Sequence, residues 1–440
     1  MKSIRSTFSV VFILLAALAL IFQPAHAQSG EPLAIVMTAN GPIMPPMFEY
    51  IQRGIKDAEQ RNAEVLIIQL DTFGGSIDTM KSIVQVIRDS TVPVVVYVSP
   101  RGAHAASAGT LVTLAGHVAA MAPETVIGAA SPVGGQGEDL QTTEELKVKE
   151  DTKAVARSLA ERRGPTAVAL AEDTIDNAKA VSSNEALDAK LIDFVVDNVD
   201  DLLEKLDGFT VQMNDGPRTL NTAHATTEPL NMRFIEQLLL FLTNPNIVFT
   251  LLSMGTFAIL IEISSPGGWV AGFIGAVCVL IAVYGLGLLS VNWFGLLFLA
   301  TAFVLFILDI KAPTHGALTA AGVTSFIVGG LVLFNSAGAP QFQRVSVPLV
   351  VGMGLFIGAL FFGILLFALR AMSRPVSMGV ESIIGKAGTA RMWDEASGQV
   401  QMESELWSAE AVHDSEKIGK GDTVEVVQVE GLRLKVKKIK

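Results

Sequence analysis

The sequence predicts a chain of three structural classes: an α/β domain, a helical membrane domain and a small all-β domain. Half of its 440 residues are hydrophobic and only 17% are charged, and the mean hydropathy is +0.48, which is typical of a membrane protein. Apolar strand patterns alternate with helical patterns over residues 31–206, as in α/β domains. Short strands separated by glycines fill residues 380–440, as in a small barrel. The length suffices for two or three domains.

Charge and cysteine content narrow the possible functions. The net charge of −11 argues against a nucleic-acid-binding surface. The one cysteine, Cys278, lies in an apolar run, so an intramolecular disulfide and a cysteine metal cluster are both excluded. We therefore expect a protein with no metal and no cofactor.

The first 27 residues have the pattern of a secretory signal peptide. Lys2 and Arg5 supply a positive start, residues 10–22 an apolar core, and Ala25-His26-Ala27 a cleavage site of the small-x-small type. An uncleaved anchor is the alternative, although the apolar run is short for one. In either case the domain that follows, predicted over residues 28–208, is exported.

Strands and helices alternate through this exported domain. Residues 143–163 are predicted to form a helix after a loop rich in glycine, 129–137, whose composition indicates mobility. The other predicted strands are 33–37, 64–70, 92–98, 119–122 and 191–196, and the other predicted helices are 46–61, 77–88 and the one that opens after Ser107.

Two short stretches follow neighbouring strands of this pattern. Asp71-Thr72-Phe73-Gly74-Gly75-Ser76 follows one strand, and paired glycines permit positive φ and a close backbone approach. Ala105 to Thr110 follows the next strand and places Ser107 at a helix start, where backbone N–H groups are free. Taken alone, the glycine stretch is better interpreted as an ordinary βα turn and the serine stretch as a packing feature. Together they predict a site at one edge of a parallel sheet.

These two stretches resemble the signatures of the ClpP/crotonase-fold serine proteases. They resemble more closely those of the long membrane-bound NfeD proteins, whose order of domains also matches. The resemblance implies a ClpP/crotonase-like α/β fold and Ser107 as the nucleophile of acyl transfer. Backbone N–H groups of Gly75 and Ala108 would hold the oxyanion. Because Phe73 stands where the family usually has proline, Gly74 remains an alternative donor.

Histidine is a poor candidate for the base that activates Ser107. His104 lies only three residues before Ser107, and His117 lies ten residues after it, about three turns along a helix. The loop Pro132-Val133-Gly134-Gly135 resembles a ClpP loop in which the triad histidine precedes the proline by two residues. Ala130 occupies that position here, so a Ser-His-Asp triad is not expected.

A lysine serves as the base when a dry pocket lowers its pKa. In the membrane-bound NfeD proteases the dyad lysine stands eleven residues before a Ser-Leu-Ala sequence. Ser158-Leu159-Ala160 places Lys147 at that position. The resemblance therefore implies a Ser107–Lys147 dyad, whereas Lys149 and Lys153 are expected on a solvated helix face. The loop before Lys147 predicts a dyad that forms only when substrate or self-association orders it.

A linker and a membrane domain follow the exported domain. Residues 209–245 are predicted to contain a hairpin at Asn214-Asp215-Gly216, a polar linker over 221–229 and an amphipathic surface helix over 232–242. The membrane domain, 246–370, is predicted to have five helices, and the charged Glu262, Asp309 and Lys311 fall near their ends and are expected at the interface. The five apolar segments are 247–264, 268–289, 293–310, 317–335 and 346–369.

Five crossings would place the C-terminus in the cytoplasm. Arg370 and Arg374 just after the last segment agree with the positive-inside rule. The C-terminal domain, 380–440, resembles the OB-like barrel that ends NfeD proteins. Its basic tail has no aromatic stacking surface beside it, so a solvated edge strand and a protein-contact role are expected rather than nucleic-acid binding.

These features together predict a multi-pass protein of the bacterial inner membrane with a periplasmic serine endopeptidase domain. The resemblance implies apolar peptide substrates, a stomatin-like membrane partner, and a homodimer or higher oligomer. A non-catalytic scaffold that organises stomatin-like proteins is the main alternative. An acyl-CoA enzyme of the crotonase type is disfavoured by export, and a transporter by the expected lack of buried charge in the apolar segments.

Overall fold

The computed structural model of the chain describes residues 31–132, 142–264, 268–312, 314, 316–335, 343–372, 380–412 and 417–439. The predicted signal peptide and most of the predicted mobile loop lie outside these residues.

The N-terminal α/β domain is built on a parallel sheet of six strands. The order is β11-β1-β2-β3-β5-β8, and each neighbouring pair is parallel. A small second sheet has the order β4-β6-β7, and β9 and β10 form the predicted hairpin. The strands are β1 (Leu33–Asn40), β2 (Val65–Asp71), β3 (Val94–Val98), β4 (His104–Ala106), β5 (Val118–Met121), β6 (Val126–Gly128), β7 (Ala180–Ser182), β8 (Phe194–Val195), β9 (Thr210–Met213), β10 (Gly216–Thr219) and β11 (Thr226–Leu230).

Helices cover both faces of the main sheet, which explains why its central strands are continuous apolar runs. Alternate residues of β2 belong to two cores: Leu66 and Ile68 to one, Val65 and Ile67 to the other. The helices are α1 (Pro45–Gln60), α2 (Ile77–Asp89), α3 (Ala108–Ala115), α4 (Thr142–Ala160), α5 (Pro165–Asp176), α6 (Ser183–Asp188) and α7 (Val199–Leu206).

The segment expected as a linker over 221–229 contains a strand instead. Thr226–Leu230 pairs with β1, Leu33 opposite Thr226 and Met37 opposite Leu230. Its side chains are mostly exposed, so the backbone ladder holds it and no apolar alternation reveals it in the sequence. The main sheet therefore extends to Leu230.

A short helix fixes the end of this domain to the chain that follows. The helix, α8 (Phe234–Phe241), is the predicted amphipathic element. Arg53 of α1 donates two hydrogen bonds of 2.7 Å to the carboxylate of Glu236, which is buried. Burial raises the pKa of Glu236, but hydrogen bonds from Arg53 and from the N–H of Arg233 outweigh burial and lower the pKa overall. The charged pair thus anchors α8 on α1.

Five helices occupy the predicted membrane segments. Three of them, α9, α10 and α12, are long and apolar enough to span a bilayer, while the apolar parts of α11 and α13 within the described residues are shorter. These helices are α9 (Pro245–Ser264), α10 (Val270–Leu288), α11 (Trp293–Lys311), α12 (Ala317–Phe334) and α13 (Val347–Met372).

The charged side chains near the helix ends cap other helices. Glu262 accepts a hydrogen bond of 2.8 Å from the N–H of Trp269, at the start of α10. Asp309 was expected at the interface but is buried, where it accepts hydrogen bonds from the hydroxyls of Thr314 and Thr319. The carboxylate stabilises the first turn of α12, which explains how a charge is tolerated there.

The C-terminal domain is a closed barrel of five strands in the order β12-β13-β14-β16-β15. β14 and β16 pair in parallel, and the other pairs are antiparallel. Val400, Val424 and Val436 fill its interior. The strands are β12 (Ala387–Asp394), β13 (Ser397–Met402), β14 (Glu405–Ala411), β15 (Thr423–Glu430) and β16 (Arg433–Lys438).

Candidate active site

Ser107 occupies the turn between β4 and α3 in a strained backbone conformation. Its φ is 54° and its ψ is −122°, a region that side-chain-bearing residues rarely adopt. The N–H of Ser107 donates to the carbonyl of Gly128 at 2.9 Å, and the hydroxyl of Thr110 donates to the carbonyl of Ala105 at 2.9 Å. Among the described residues the Oγ of Ser107 has no hydrogen-bond partner. A reactive serine in α/β enzymes commonly sits on such a turn.

The two stretches singled out in the sequence meet as predicted. Thr72 and Ala105 form a parallel β-bridge, in which Thr72 donates its N–H to His104 at 2.7 Å and accepts from Ala106 at 3.0 Å. A Cβ placed on Gly109 would lie 2.5 Å from the Cγ2 of Thr72, so only glycine permits this contact. The glycine turn is therefore held beside the serine turn.

Each glycine of the pair is required by a different neighbour. Gly74 has a φ of +114°, and a Cβ there would lie 2.6 Å from the Cβ of Ser107 and 3.0 Å from its Oγ. A Cβ on Gly75 would collide with the backbone of Ile43. The backbone of this turn consequently approaches Ser107 more closely than any residue with a side chain would allow.

The backbone N–H groups of Gly75 and Ala108 are available near Ser107, whereas that of Gly74 is already hydrogen-bonded. The N–H of Gly74 donates to the hydroxyl of Thr72 at 3.0 Å. The N–H of Gly75, by contrast, has no partner among the residues that the structure describes. Ala108 is the first residue of α3, ahead of the first acceptor within the helix. Of the two candidate glycine donors, Gly75 is the one whose N–H is free.

Phe73, which stands where NfeD proteins usually have proline, forms one wall of the site. Its ring is 63% exposed and lies 4.9 Å from the ring of His104, centroid to centroid. The N–H of His104 donates to the carboxylate of Asp71 at 3.0 Å. Phe73 thus offers an apolar surface next to Ser107.

A cleft of about 650 Å³ opens over the serine. The N-terminal α/β domain contributes Phe73, Gly75, Ser107 and Ser131, and the membrane domain contributes Leu289 and Gln343. Neither of the last two residues was predicted from the sequence, because Leu289 just after α10 and Gln343 before α13 lie far along the chain and carry no motif.

Lys147, the predicted base, does not line this cleft in the described conformation. It lies in the second turn of α4 with an exposed side chain. Among the described residues it has no ion-pair partner. The structure therefore brings together Ser107, Gly74, Gly75 and Ala108 and leaves Lys147 apart, just after the undescribed residues 133–141.

The two neighbouring lysines are held in a polar network. Lys149 donates to the backbone carbonyl of Asp176 at 2.8 Å. Lys153 lies 3.0 Å from a carboxylate oxygen of Glu150 and 3.1 Å from one of Asp176. Hydrogen bonds to Glu150 and then to Asp176 raise the pKa of Lys153. Both amines hold α4 against α5, and the raised pKa makes Lys153 a poor proton acceptor.

His117 is a buried structural histidine. Its Nδ1 accepts a hydrogen bond of 3.1 Å from the N–H of Val94. Burial, together with the nearby Arg88 and Arg162, lowers its pKa to about 3. Its Nε2 is buried without a partner among the described residues. The ring lies beyond the end of α3, so it does not serve Ser107.

Three family models match the chain. They are the N-terminal domain of NfeD1b over residues 36–214, the NfeD integral membrane domain over 246–368, and the NfeD-like C-terminal, partner-binding domain over 380–438.

Relatives match over the whole length. The membrane-bound protease PH1510 of Pyrococcus horikoshii is 35% identical over 430 residues, which cover 96% of this chain and 97% of that protein. The membrane protein NfeD1b of Bacillus subtilis is 25% identical over 466 residues, 100% of this chain and 99% of that protein. A solved structure of the 1510-N membrane-bound stomatin-specific protease, a lysine-to-alanine variant with a substrate peptide, is 34% identical over 48% of this chain and 98% of that one, with a TM-score of 0.46.

The strained serine, the glycine turn beside it and the apolar helices, taken with these relatives, define a membrane-bound serine protease. Within that class, the chain belongs to the NfeD family.

Proposed function

We propose that this protein is a membrane-bound serine endopeptidase in which Ser107 and Lys147 form the catalytic dyad. Neutral Lys147 takes the hydroxyl proton of Ser107 while Oγ attacks a peptide carbonyl carbon, forming a tetrahedral oxyanion. The lysine then returns the proton to the leaving amine, and water hydrolyses the acyl-enzyme. The position of Ser107, strained and close to Gly74, is the observation that carries the proposal.

The oxyanion hole in this proposal consists of the N–H groups of Gly75 and Ala108. The free N–H of Gly75 favours it over Gly74, whose N–H is engaged by Thr72. Donors fixed before the reaction stabilise developing charge without reorganisation, and the loss of one typically costs about 100-fold or more in kcat.

The substrate is proposed to be an apolar peptide segment, belonging to a stomatin-like membrane partner. The exposed ring of Phe73 beside Ser107 suits apolar side chains. A relative described as stomatin-specific and a C-terminal domain matched as partner-binding support this partner. We further propose a homodimer or higher oligomer, with self-association or substrate completing the dyad through the segment before Lys147.

We place the exported domain in the periplasm and the barrel in the cytoplasm of a bacterial cell. Five crossings of the inner membrane by α9 to α13 produce this arrangement. The barrel is proposed to be an OB-fold, because parallel pairing of its third and fifth strands closes it. The domain at the other end of the chain is proposed to be ClpP-like. The role of the barrel is protein contact.

The test uses the full-length protein in lipid nanodiscs. A fluorophosphonate probe measures acylation of the serine, and a library of apolar peptides measures turnover. Ser107→Ala should abolish both, and Lys147→Ala should reduce both by at least about 100-fold, the usual range for a lost general base. Lys149→Ala is the matched control, two residues along the same helix, and should retain activity.

The outcomes separate the alternatives. If Lys147→Ala is as active as Lys149→Ala, the nucleophile stands but another base must serve it. If the wild-type protein neither reacts with the probe nor cleaves any peptide, even with a stomatin-like protein present, the protein is a non-catalytic scaffold.

A further inference from the structure

The membrane domain supplies part of the cleft over Ser107. Gly287, Leu288, Leu289 and Ser290, at the end of α10, line it together with Gln343. We call these five residues the membrane-side wall. None of these five residues belongs to a sequence motif named above.

Several contacts hold the wall at the end of the helices nearest to the exported domain. A Cβ on Gly285 would lie 2.6 Å from Val248, so the end of α10 packs closely on the start of α9. The N–H of Ser346 donates to Asn246 at 2.7 Å. The start of α9 follows α8 directly, and Glu236 of α8 is paired with Arg53. The wall is therefore fixed to the catalytic domain through packed and paired groups.

The wall residues on the side of α10 end at Ser290, three residues before α11 begins at Trp293. Trp293 and Phe294, at the start of α11, are 69% and 70% exposed. Exposed aromatic side chains at a helix end are typical of the membrane–water interface. A peptide that reaches Ser107 past the wall is thus at the bilayer surface.

The side-chain oxygen of Gln343 is a hydrogen-bond acceptor in the membrane-side wall. This oxygen, Oε1, is buried and has no hydrogen-bond partner among the described residues, although buried polar atoms are nearly always paired. An extended peptide in the cleft has backbone N–H groups that match it. The adjoining Leu289 is buried and apolar and suits a side chain of the same peptide.

We infer that the membrane-side wall is a substrate-binding subsite, and that it selects the juxtamembrane segment of an integral membrane protein. This inference rests on the proposed peptidase function. Gln343 would accept a hydrogen bond from the substrate backbone, and the open space at Gly287 would leave room for the substrate chain. Such a site cuts close to the bilayer and discriminates against bonds held far from it.

The first experiment narrows the cleft without disturbing the fold. A Cβ on Gly287 or on Gly352 meets no atom within 4 Å, but only Gly287 lines the cleft. The probe is an apolar peptide fused to a single transmembrane helix by a spacer of about 3 residues, reconstituted with full-length enzyme. Gly287→Leu should lower kcat/KM on it by roughly tenfold or more, mainly through KM. Gly352→Leu should behave as wild type, and both variants should react normally with a small fluorophosphonate.

A second variant and a second substrate test the two parts of the inference separately. Gln343→Ala should raise KM for the anchored peptide with labelling of Ser107 unchanged. Lengthening the spacer to about 20 residues should reduce cleavage by wild type, although a longer tether makes the peptide more accessible.

Equal cleavage of short-spacer and long-spacer substrates, with Gly287→Leu indistinguishable from Gly352→Leu, would overturn the inference while leaving the peptidase intact. If no peptidase activity exists, photo-crosslinking of the anchored peptide to the Ser107→Ala protein still decides the matter. Crosslinks at residues 287–290 or Gln343 support the subsite, and crosslinks confined to other surfaces refute it.

Discussion

Substitution of Gly74 by alanine tests whether the glycine turn positions the nucleophile. A Cβ at this position would lie 2.6 Å from the Cβ of Ser107, whereas carbon atoms in contact lie about 3.5–4.0 Å apart. The pair must separate by about 1 Å, by movement of the serine turn or the glycine turn. A displacement of that size costs on the order of 100-fold in rate. We expect Gly74→Ala to slow fluorophosphonate labelling by about that factor.

The same substitution also carries a backbone cost, which needs its own control. Alanine at a φ of +114° is strained by about 1–2 kcal/mol whatever lies nearby. Gly164, between α4 and α5, has a φ of +98°, and a Cβ there meets nothing within 4 Å. Gly164→Ala therefore carries a comparable strain without touching Ser107.

The assay combines the labelling rate in nanodiscs with the temperature at which β2 and β3 lose amide-exchange protection. Both variants should lose that protection at a temperature lower by a few degrees, about 2–4 °C for each kcal/mol. Only Gly74→Ala should lose reactivity. Equal labelling rates for the two variants would refute the idea that the close approach of Gly74 to Ser107 matters for reaction.

Two further predictions concern acid sensitivity. The pKa of His117 is lowered from 6.5 to about 3, so between these pH values the unfolded chain binds a proton that the folded chain does not bind. The free energy of unfolding therefore falls as the pH drops below 6.5, by about 2 kcal/mol at pH 5. His117→Gln, which keeps an acceptor for Val94, should flatten this dependence in unfolding measurements, and the exposed His224→Gln should not. Because the pKa of Glu236 is lowered below 4.5, its contribution is present above pH 4.5 and lost in stronger acid. Amide exchange of α8 should rise in that range, whereas Glu236→Gln should show fast exchange at neutral pH and little further change in acid.

The meeting of the glycine turn with the turn that carries Ser107 was predictable because two stretches of the sequence point to the same edge of the sheet. β3 is apolar throughout and β2 is apolar apart from Gln69 and its last residue, Asp71, and parallel sheets place the carboxyl ends of such strands at one edge. The bridge between Thr72 and Ala105 confirms that expectation. Ser107 and Gly74 then lie in contact, because a glycine permits the close backbone approach that a residue with a side chain would block.

Other parts of the site could not be predicted, for identifiable reasons. The strand at Thr226–Leu230 is held by backbone hydrogen bonds to β1, and its exposed polar side chains resemble those of a linker. Leu289 and Gln343 reach the cleft only through the packing of whole helices, which a local pattern does not encode. The role of Lys147 depends on its neighbours in an assembled site, so it stays a prediction.

The exposure of Lys147 and the placement of the cleft have a common consequence for substrate choice. A lysine takes a proton from serine only as the neutral amine, which dry surroundings favour. Some group must therefore displace water from around Lys147 before it can deprotonate Ser107. On the proposed mechanism, an apolar segment that enters between Phe73 and the membrane-side wall supplies that group once Lys147 is brought to the cleft. A polar peptide from solution would neither fill this space nor displace water from around Lys147. The dyad is then competent only with the kind of substrate that the bilayer surface delivers.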